Sequence, residues 1–276
     1  MPIKTIAVVL SDPKTAQAVT SAAIGVARKE NAHLIGLHAE IVDPPPIMTP
    51  FDLPDSSIIA SLYEAAGERR KAIEAMFNEA TAREGVSAEW RASRGTGVMA
   101  SQALIDSCRI SDLVIASQPA SDRVGDVDEL LFETGRPALF IPWIDQPVAG
   151  FNRVLVAWDG SRESTRAVFD AIPLIKDAAE IELFSVDPQE TNSKSAVLTG
   201  ADLAESLARH GLKVTTNTQD SERVAISAVL ENRCTDFAAD LLVMGAYSHA
   251  RIRERLFGGV TQIILESMTV PVFMSR

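Results

Sequence analysis

Short β-branched runs alternate with longer stretches of helical periodicity along the whole chain. Residues 3–10 (Ile-Lys-Thr-Ile-Ala-Val-Val-Leu) predict a first strand, and Ser11-Asp12-Pro13 supplies a turn with a capping side chain for the helix that follows. That helix, 16–29, carries Val19, Ala22, Ala23 and Val26 on one face; residues 32–40 read as a second strand. Prolines 44, 45, 46, 50 and 54 then exclude regular structure and mark an excursion over the surface. A long helix, 57–83, has the stripe Ile58, Ile59, Leu62, Ala65, Ala66, Ile73, Met76, Phe77 and Ala80, with Gly85 as its stop. Strands at 86–92, 113–116 and 138–141, with helices at 98–108 and 126–134, complete a five-stranded unit. Such alternation argues for a parallel sheet with helices on both faces.

After residue 152 the pattern starts again. Strands are expected at 153–158, 180–186, 212–217, 241–244 and 270–274, and helices at 163–176, 195–210 and 223–237. The pieces align: Leu10 with Trp158, Asp112-Leu-Val-Ile-Ala with Asp240-Leu-Leu-Val-Met, and Pro137-Ala-Leu-Phe with Pro271-Val-Phe-Met. The chain therefore reads as two tandem doubly wound α/β domains of Rossmann-like type, 1–143 and 153–276, joined by a linker at 144–152. The stretch from Leu10 to Asp112 exceeds that from Trp158 to Asp240 by 20 residues, which matches the proline-rich excursion. From Asp112 to Pro137 the first half is six residues shorter than the second, and it lacks paired glycines there.

Those glycines give the candidate chemistry. The apolar run Leu241 to Met244 breaks at Gly245, a polar loop with Arg251, Arg253 and Arg255 follows, and Gly258-Gly259 opens a segment with Val260, Ile263, Ile264 and Ser267 in helical register. Glycine at a strand end admits a ligand close to the backbone, and the N–H groups of a first helical turn favour an anion.

A net charge of −11, with 13 basic against 20 acidic residues in 1–149 and 13 against 17 in 150–276, argues against nucleic acid or an anionic membrane surface as main partner. No window reaches the ~18 apolar residues of a membrane span, and the first ten residues lack a signal-peptide pattern. Cys108 and Cys234 each fall on an apolar helical stripe and read as core thiols. Together these features place the protein in the cytoplasm.

The arrangement resembles the universal stress protein family in its tandem form, on the strength of Val-Leu-Val-Ala-Trp-Asp159-Gly-Ser, of Asp240-Leu-Leu-Val-Met-Gly245 with its downstream glycines, and of the ending Val270-Pro-Val-Phe-Met274. The family's nucleotide signature is glycine, two residues, glycine, nine residues, glycine, then Ser or Thr. Gly245 and Gly258 match its first and third positions at the full spacing. Ser248 stands at the second and Gly259 at the fourth, with Thr261 two residues on. A serine forced to φ > 0 costs roughly 1 kcal/mol relative to glycine, and one lost neutral hydrogen bond about 0.5–1.5 kcal/mol, so weakened rather than abolished binding is expected.

The resemblance implies that Asp159 faces the adenine or ribose, that Val186, with Asp187 beyond it, offers backbone contacts to the base, and that Gly245, Ser248, Gly258, Gly259 and Thr261 line the triphosphate. It implies ATP, with or without Mg²⁺, or another adenine nucleotide as ligand of the second half alone, in a regulatory binding protein of the stress response. It further implies that the last strands of the two halves, which would otherwise be edges, join them into an intramolecular pseudo-dimer; pairing of two chains into a homodimer is left open. A competing reading keeps the fold but has the loops bind a protein or another small molecule. Ser161, His249 and Asp159 invite a hydrolase triad, but the Gly-x-Ser-x-Gly turn after a strand is missing, as is a Walker A loop. No catalytic residue is assigned.

Overall fold

A computed structural model of the protein describes residues 2–42, 56–95, 97–120, 130–144, 150–188, 200–246 and 259–276. The first half contains β1 (Thr5–Val9), α1 (Pro13–Glu30), β2 (His33–Ile41), α2 (Ser56–Arg83), β3 (Ala88–Gly95), α3 (Gly97–Arg109), β4 (Leu113–Ser117) and β5 (Ala138–Ile141). The second contains β6 (Arg153–Ala157), α4 (Arg162–Ile175), β7 (Glu180–Val186), α5 (Gly200–Arg209), β8 (Val214–Gln219), α6 (Ile226–Asp236), β9 (Leu241–Gly245), α7 (Val260–Ser267) and β10 (Val272–Ser275). Residues 130–134 are also helical.

All strands lie in one ten-stranded sheet of order β3-β2-β1-β4-β5-β10-β9-β6-β7-β8. Pairing is parallel within each half and antiparallel at the centre, where Phe140, Leu139 and Ala138 face Val272, Phe273 and Met274. The apolar final strands thus remove each other's edges, and the pseudo-dimer is one continuous sheet. The outer edges fall to β3 (Ala-Glu-Trp-Arg-Ala-Ser-Arg-Gly) and β8 (Val-Thr-Thr-Asn-Thr-Gln), whose polar side chains suit an unpaired edge.

Strand alternation divides the core between the two faces of the sheet. On one face Ile6, Val8, Leu34, Val156 and Phe273 pack under α1, α2 and α4; on the other Ala7, Val114, Phe140, Leu242 and Met274 pack against Cys108, Leu230 and Ile264. The aligned aspartates have matching duties. Asp112 Oδ2 accepts the N–H groups of Lys4 and Thr5 at 2.8 and 3.0 Å, and Asp240 accepts those of Asn152 and Arg153 at 2.8 and 3.0 Å. Each carboxylate anchors the start of its neighbouring first strand. Reciprocal ion pairs, Lys29 to Asp177 at 3.0 Å and Lys176 to Glu30 at 2.6 Å, tie α1 to the C-terminal end of α4.

Several expectations need correction. The stripe of α2 extends over the whole helix in sequence, yet only Ala66, Ile73, Phe77 and Thr81 are buried; Ile58 is 52% and Leu62 38% exposed. The helix expected from residue 223 starts at Ile226, since Glu222 and Arg223 adopt φ of 51° and 72° in a turn closed by Val224 N–H to Ser221 C=O at 2.8 Å. In α7 the buried side chains are Thr261, Ile264 and Leu265, while Ile263 is exposed. β3 and β8 each run two to three residues past their expected ends. The proline-rich segment lies outside the described residues.

Candidate functional site

β6 and β9 are neighbours through Val154↔Leu241, Leu155↔Leu242 and Val156↔Val243, so their carboxyl ends open side by side. The helix after β6, α4, packs on one face of the sheet, and the next described helix after β9, α7, packs on the other. This is a topological switch point, where open α/β sheets leave a crevice for ligands.

Each wall follows from local sequence. Past β6, Asp159 Oδ1 accepts the Ser161 N–H at 2.9 Å, and Gly160 takes φ +73°, a conformation that favours glycine. Ser161 then caps α4: its Oγ accepts the Ser164 N–H at 3.0 Å. Asp159, half-buried at the strand end, thus shapes the turn from the position where the resemblance puts a ligand contact. The Ser161 hydroxyl is engaged by the cap and lies 3.1 Å from Ser164 Oγ, which gives it a structural duty in place of the triad role; His249 lies outside the described residues.

On the β9 side, an ideal Cβ at Gly245 would stand 2.5 Å from Ser164 N and 2.6 Å from Glu163 C. Strand and helix backbones meet there, and only glycine fits. The sequence points to a ligand as the reason for this glycine; the fold supplies helix packing as one. In the first half the equivalent residue is Ser117.

At the far end of the crevice β7 ends at Val186. Phe184 C=O accepts the Trp158 N–H at 2.9 Å, and Asp187 N–H donates to Gln219 C=O at 3.1 Å. By strand alternation the Val186 N–H and C=O point to the β6 side, above the end of that strand. Asp187 has φ +48°, and hydrogen bonds from the Ser221 hydroxyl and N–H hold its carboxyl below the ordinary aspartate value. Opposite, Gly259 is the N-cap of α7 with φ −148° and ψ −174°, extended backbone that any residue adopts, and Thr261 is buried in the first turn. The fold thus brings Asp159, Val186, Gly245, Gly259 and Thr261 to one end of one half-sheet. Ser248, Gly258 and the three loop arginines lie outside the described residues. Among the described residues no group of three or more His, Cys, Asp or Glu side chains converges as a metal site.

Residues 150–276 match the family model described as "Universal stress protein family". The second half is a universal stress protein domain. A universal stress protein from Synechocystis sp. is 27% identical over 152 residues, which cover 55% of this chain; the match spans only 50% of that relative. The crystal structure of a universal stress protein from Archaeoglobus fulgidus superposes with a TM-score of 0.71 at 18% identity, over 99% of this chain and 96% of that one. A Pseudomonas aeruginosa structure described under the same family name gives 0.59 at 16% identity, over 99% and 93%. At these identities the likeness is one of fold, and it extends across both halves. Among the described residues no helix is long and apolar enough to cross a membrane.

The sequence did not disclose two contacts between distant elements. Glu182 is buried in β7 and bonded twice by Arg233, Nε to Oε1 at 2.7 Å and Nη2 to Oε2 at 2.6 Å; an acid flanked by Ile181, Leu183 and Phe184 was the available signal. Gln118, one position past Ser117, reaches the other half, and the repeat alignment, which sets it against Ala246, was the only pointer.

Proposed function

We propose that this universal stress protein binds an adenine nucleotide, ATP foremost, at the carboxyl ends of β6, β7 and β9, and acts as a cytoplasmic regulatory binding protein rather than through catalysis. The observation that carries the reading is the switch point between β6 and β9, flanked by the Asp159 turn and by the N-terminus of α7, where the N-cap Gly259 has no side chain to bond it. There the base lies against the Val186 backbone, the ribose near Asp159, and the phosphates against Gly259, Thr261 and the glycine loop with Ser248 and Gly258. Magnesium would be carried by the phosphates. The second half, 153–276, is the nucleotide domain; the first, 1–143, with its shorter loop, is not.

The test is mass spectrometry of the supernatant from denatured protein, followed by ATP calorimetry with and without Mg²⁺. About one ATP or ADP per protein molecule, lost in Gly258→Asp, supports the reading. No binding up to roughly millimolar ATP, about −4 kcal/mol, would overturn it. A second reading, that the fold docks a protein partner without nucleotide, draws support from Ile58, Leu62 and Tyr63, all exposed on α2.

A further inference from the structure

α7 supplies the anion-facing end of the proposed site, yet its own sequence secures it poorly. It is eight residues long, Gly259 provides no capping side chain, and Met268 at the C-cap has φ −53° and ψ 133°, with no left-handed turn to tie back the last carbonyls. A helix this short does not hold by itself.

Its last turn is held by partners outside the helix: Glu231 of α6, which accepts the Ser267 hydroxyl, and from the other half Gln118. Gln118 Nε2 donates to Glu266 C=O at 3.0 Å. Gln118 sits one residue past β4 and is 5% exposed. Its Oε1 accepts the Trp143 N–H at 3.1 Å, and its backbone carbonyl accepts the Trp143 indole N–H at 2.8 Å. One buried glutamine therefore joins the end of β4, the residues after β5, and the last turn of α7. The antiparallel crossing of β5 and β10 makes this reachable, because each strand runs out over the other half. At the opposite end of the crossing the Arg276 guanidinium lies 3.6 Å from the Phe132 ring centroid. The position equivalent to Gln118 in the second half is Ala246, which has no side-chain donor, so the bridge is one-sided.

We propose that Gln118 is a positioning residue for the nucleotide site: it caps α7 from the first half and couples occupancy at Gly259 to Trp143 on the surface. The inference rests on the nucleotide reading above. Helix ordering is cooperative, so fixing the C-terminal turn reduces the ordering left for a phosphate to impose at the N-terminus. By linkage the effect is reciprocal: a ligand at the N-terminus tightens the Gln118–Glu266 bond and the Trp143 contacts behind it. Trp143 is 54% exposed, so its indole presents the state of α7 to solvent or to a partner.

The experiment is an ATP titration of the full-length protein followed in parallel by calorimetry and by the indole N–H signal of Trp143 in ¹⁵N–¹H spectra, with that signal identified by its loss in Trp143→Phe. The indole is expected to shift with the same half-saturation as the heat. Gln118→Met loses the side-chain bonds, and Gln118→Glu keeps an acceptor for Trp143 but has no donor for Glu266. Both should weaken ATP about two- to fivefold, as expected when one hydrogen bond's worth of competent population is lost, and both should leave the indole unresponsive. Trp143→Phe, which removes the indole bond to the Gln118 carbonyl but keeps the Gln118–Glu266 bond, should weaken ATP less than either Gln118 variant. If ATP binds while the wild-type indole stays still and both Gln118 variants retain full affinity, the coupling is wrong and the nucleotide site stands. If calorimetry shows no ATP binding, both fall together. The wild-type titration decides the coupling even if a Gln118 variant does not fold.

Discussion

Replacing Gly259 by aspartate should strengthen the fold and weaken the ligand. Gly259 is an exposed N-cap with φ −148°, and a Cβ added there meets nothing within 4 Å, so the substitution is sterically silent. Aspartate is among the best N-caps; against glycine it is worth a few tenths of a kcal/mol, and its charge at the helix N-terminus adds about 0.3–1 kcal/mol. Stability should therefore rise by about 0.5–1 kcal/mol. At roughly 6 Å from a bound phosphate and an effective dielectric of about 20, the same carboxylate meets a repulsion near 3 kcal/mol per unit charge, reduced by exposure and salt to about 1–2 kcal/mol. ATP affinity should drop about 5- to 30-fold. Urea unfolding and ATP calorimetry on one preparation read both quantities, and their opposite signs exclude simple damage as the cause. A lower unfolding midpoint would refute the capping geometry. Unchanged ATP affinity in a more stable variant would refute the placement of phosphate at α7.

Three further outcomes follow from packing and burial. Gly245→Ala should destabilise by about 1–3 kcal/mol in urea unfolding, because its methyl meets the backbone of Glu163 and Ser164, whereas Ser117→Ala at the equivalent position should be nearly silent. Arg233→Met strands the buried Glu182 carboxylate and should cost about 3 kcal/mol, most of it recovered when Glu182→Leu is added, as a denaturant series would show. Burial pushes the thiols of Cys108 and Cys234 from 9.0 up to about 12. A raised folded-state value favours the protonated form, so this contribution to stability is fully present below about pH 9 and is lost as pH climbs from 9 toward 12. Neither thiol should react with a disulfide reagent at pH 8 until the protein unfolds; labelling at the rate of a free thiol would contradict the burial.

The sequence by itself determined the strand and helix alternation, the tandem repeat and the end of the sheet that carries the glycine motif. These depend on local periodicity and on short motifs, and Asp112 with Asp240 or Leu10 with Trp158 carry them in contiguous residues. The cores also followed from pattern wherever sheet and helix overlap, as at Val229, Leu230 and Cys234. Pattern misled at the start of α2: Ile58 and Leu62 belong to an apolar stripe, yet both are exposed. Backbone strain also escaped it, since nothing in Glu222-Arg223 announces two positive φ angles.

Only the tertiary structure decided contacts between residues remote in sequence. Gly245 could be read as a ligand glycine from its motif, and the reason that its Cβ is forbidden appears only when α4 is laid against β9. Asp159 could be read as a ligand residue, and its turn duty needs the geometry of Ser161. Gln118 meets Glu266 across 148 positions because β5 and β10 cross antiparallel. Periodicity records which face of an element is apolar. It does not record which neighbour that face meets.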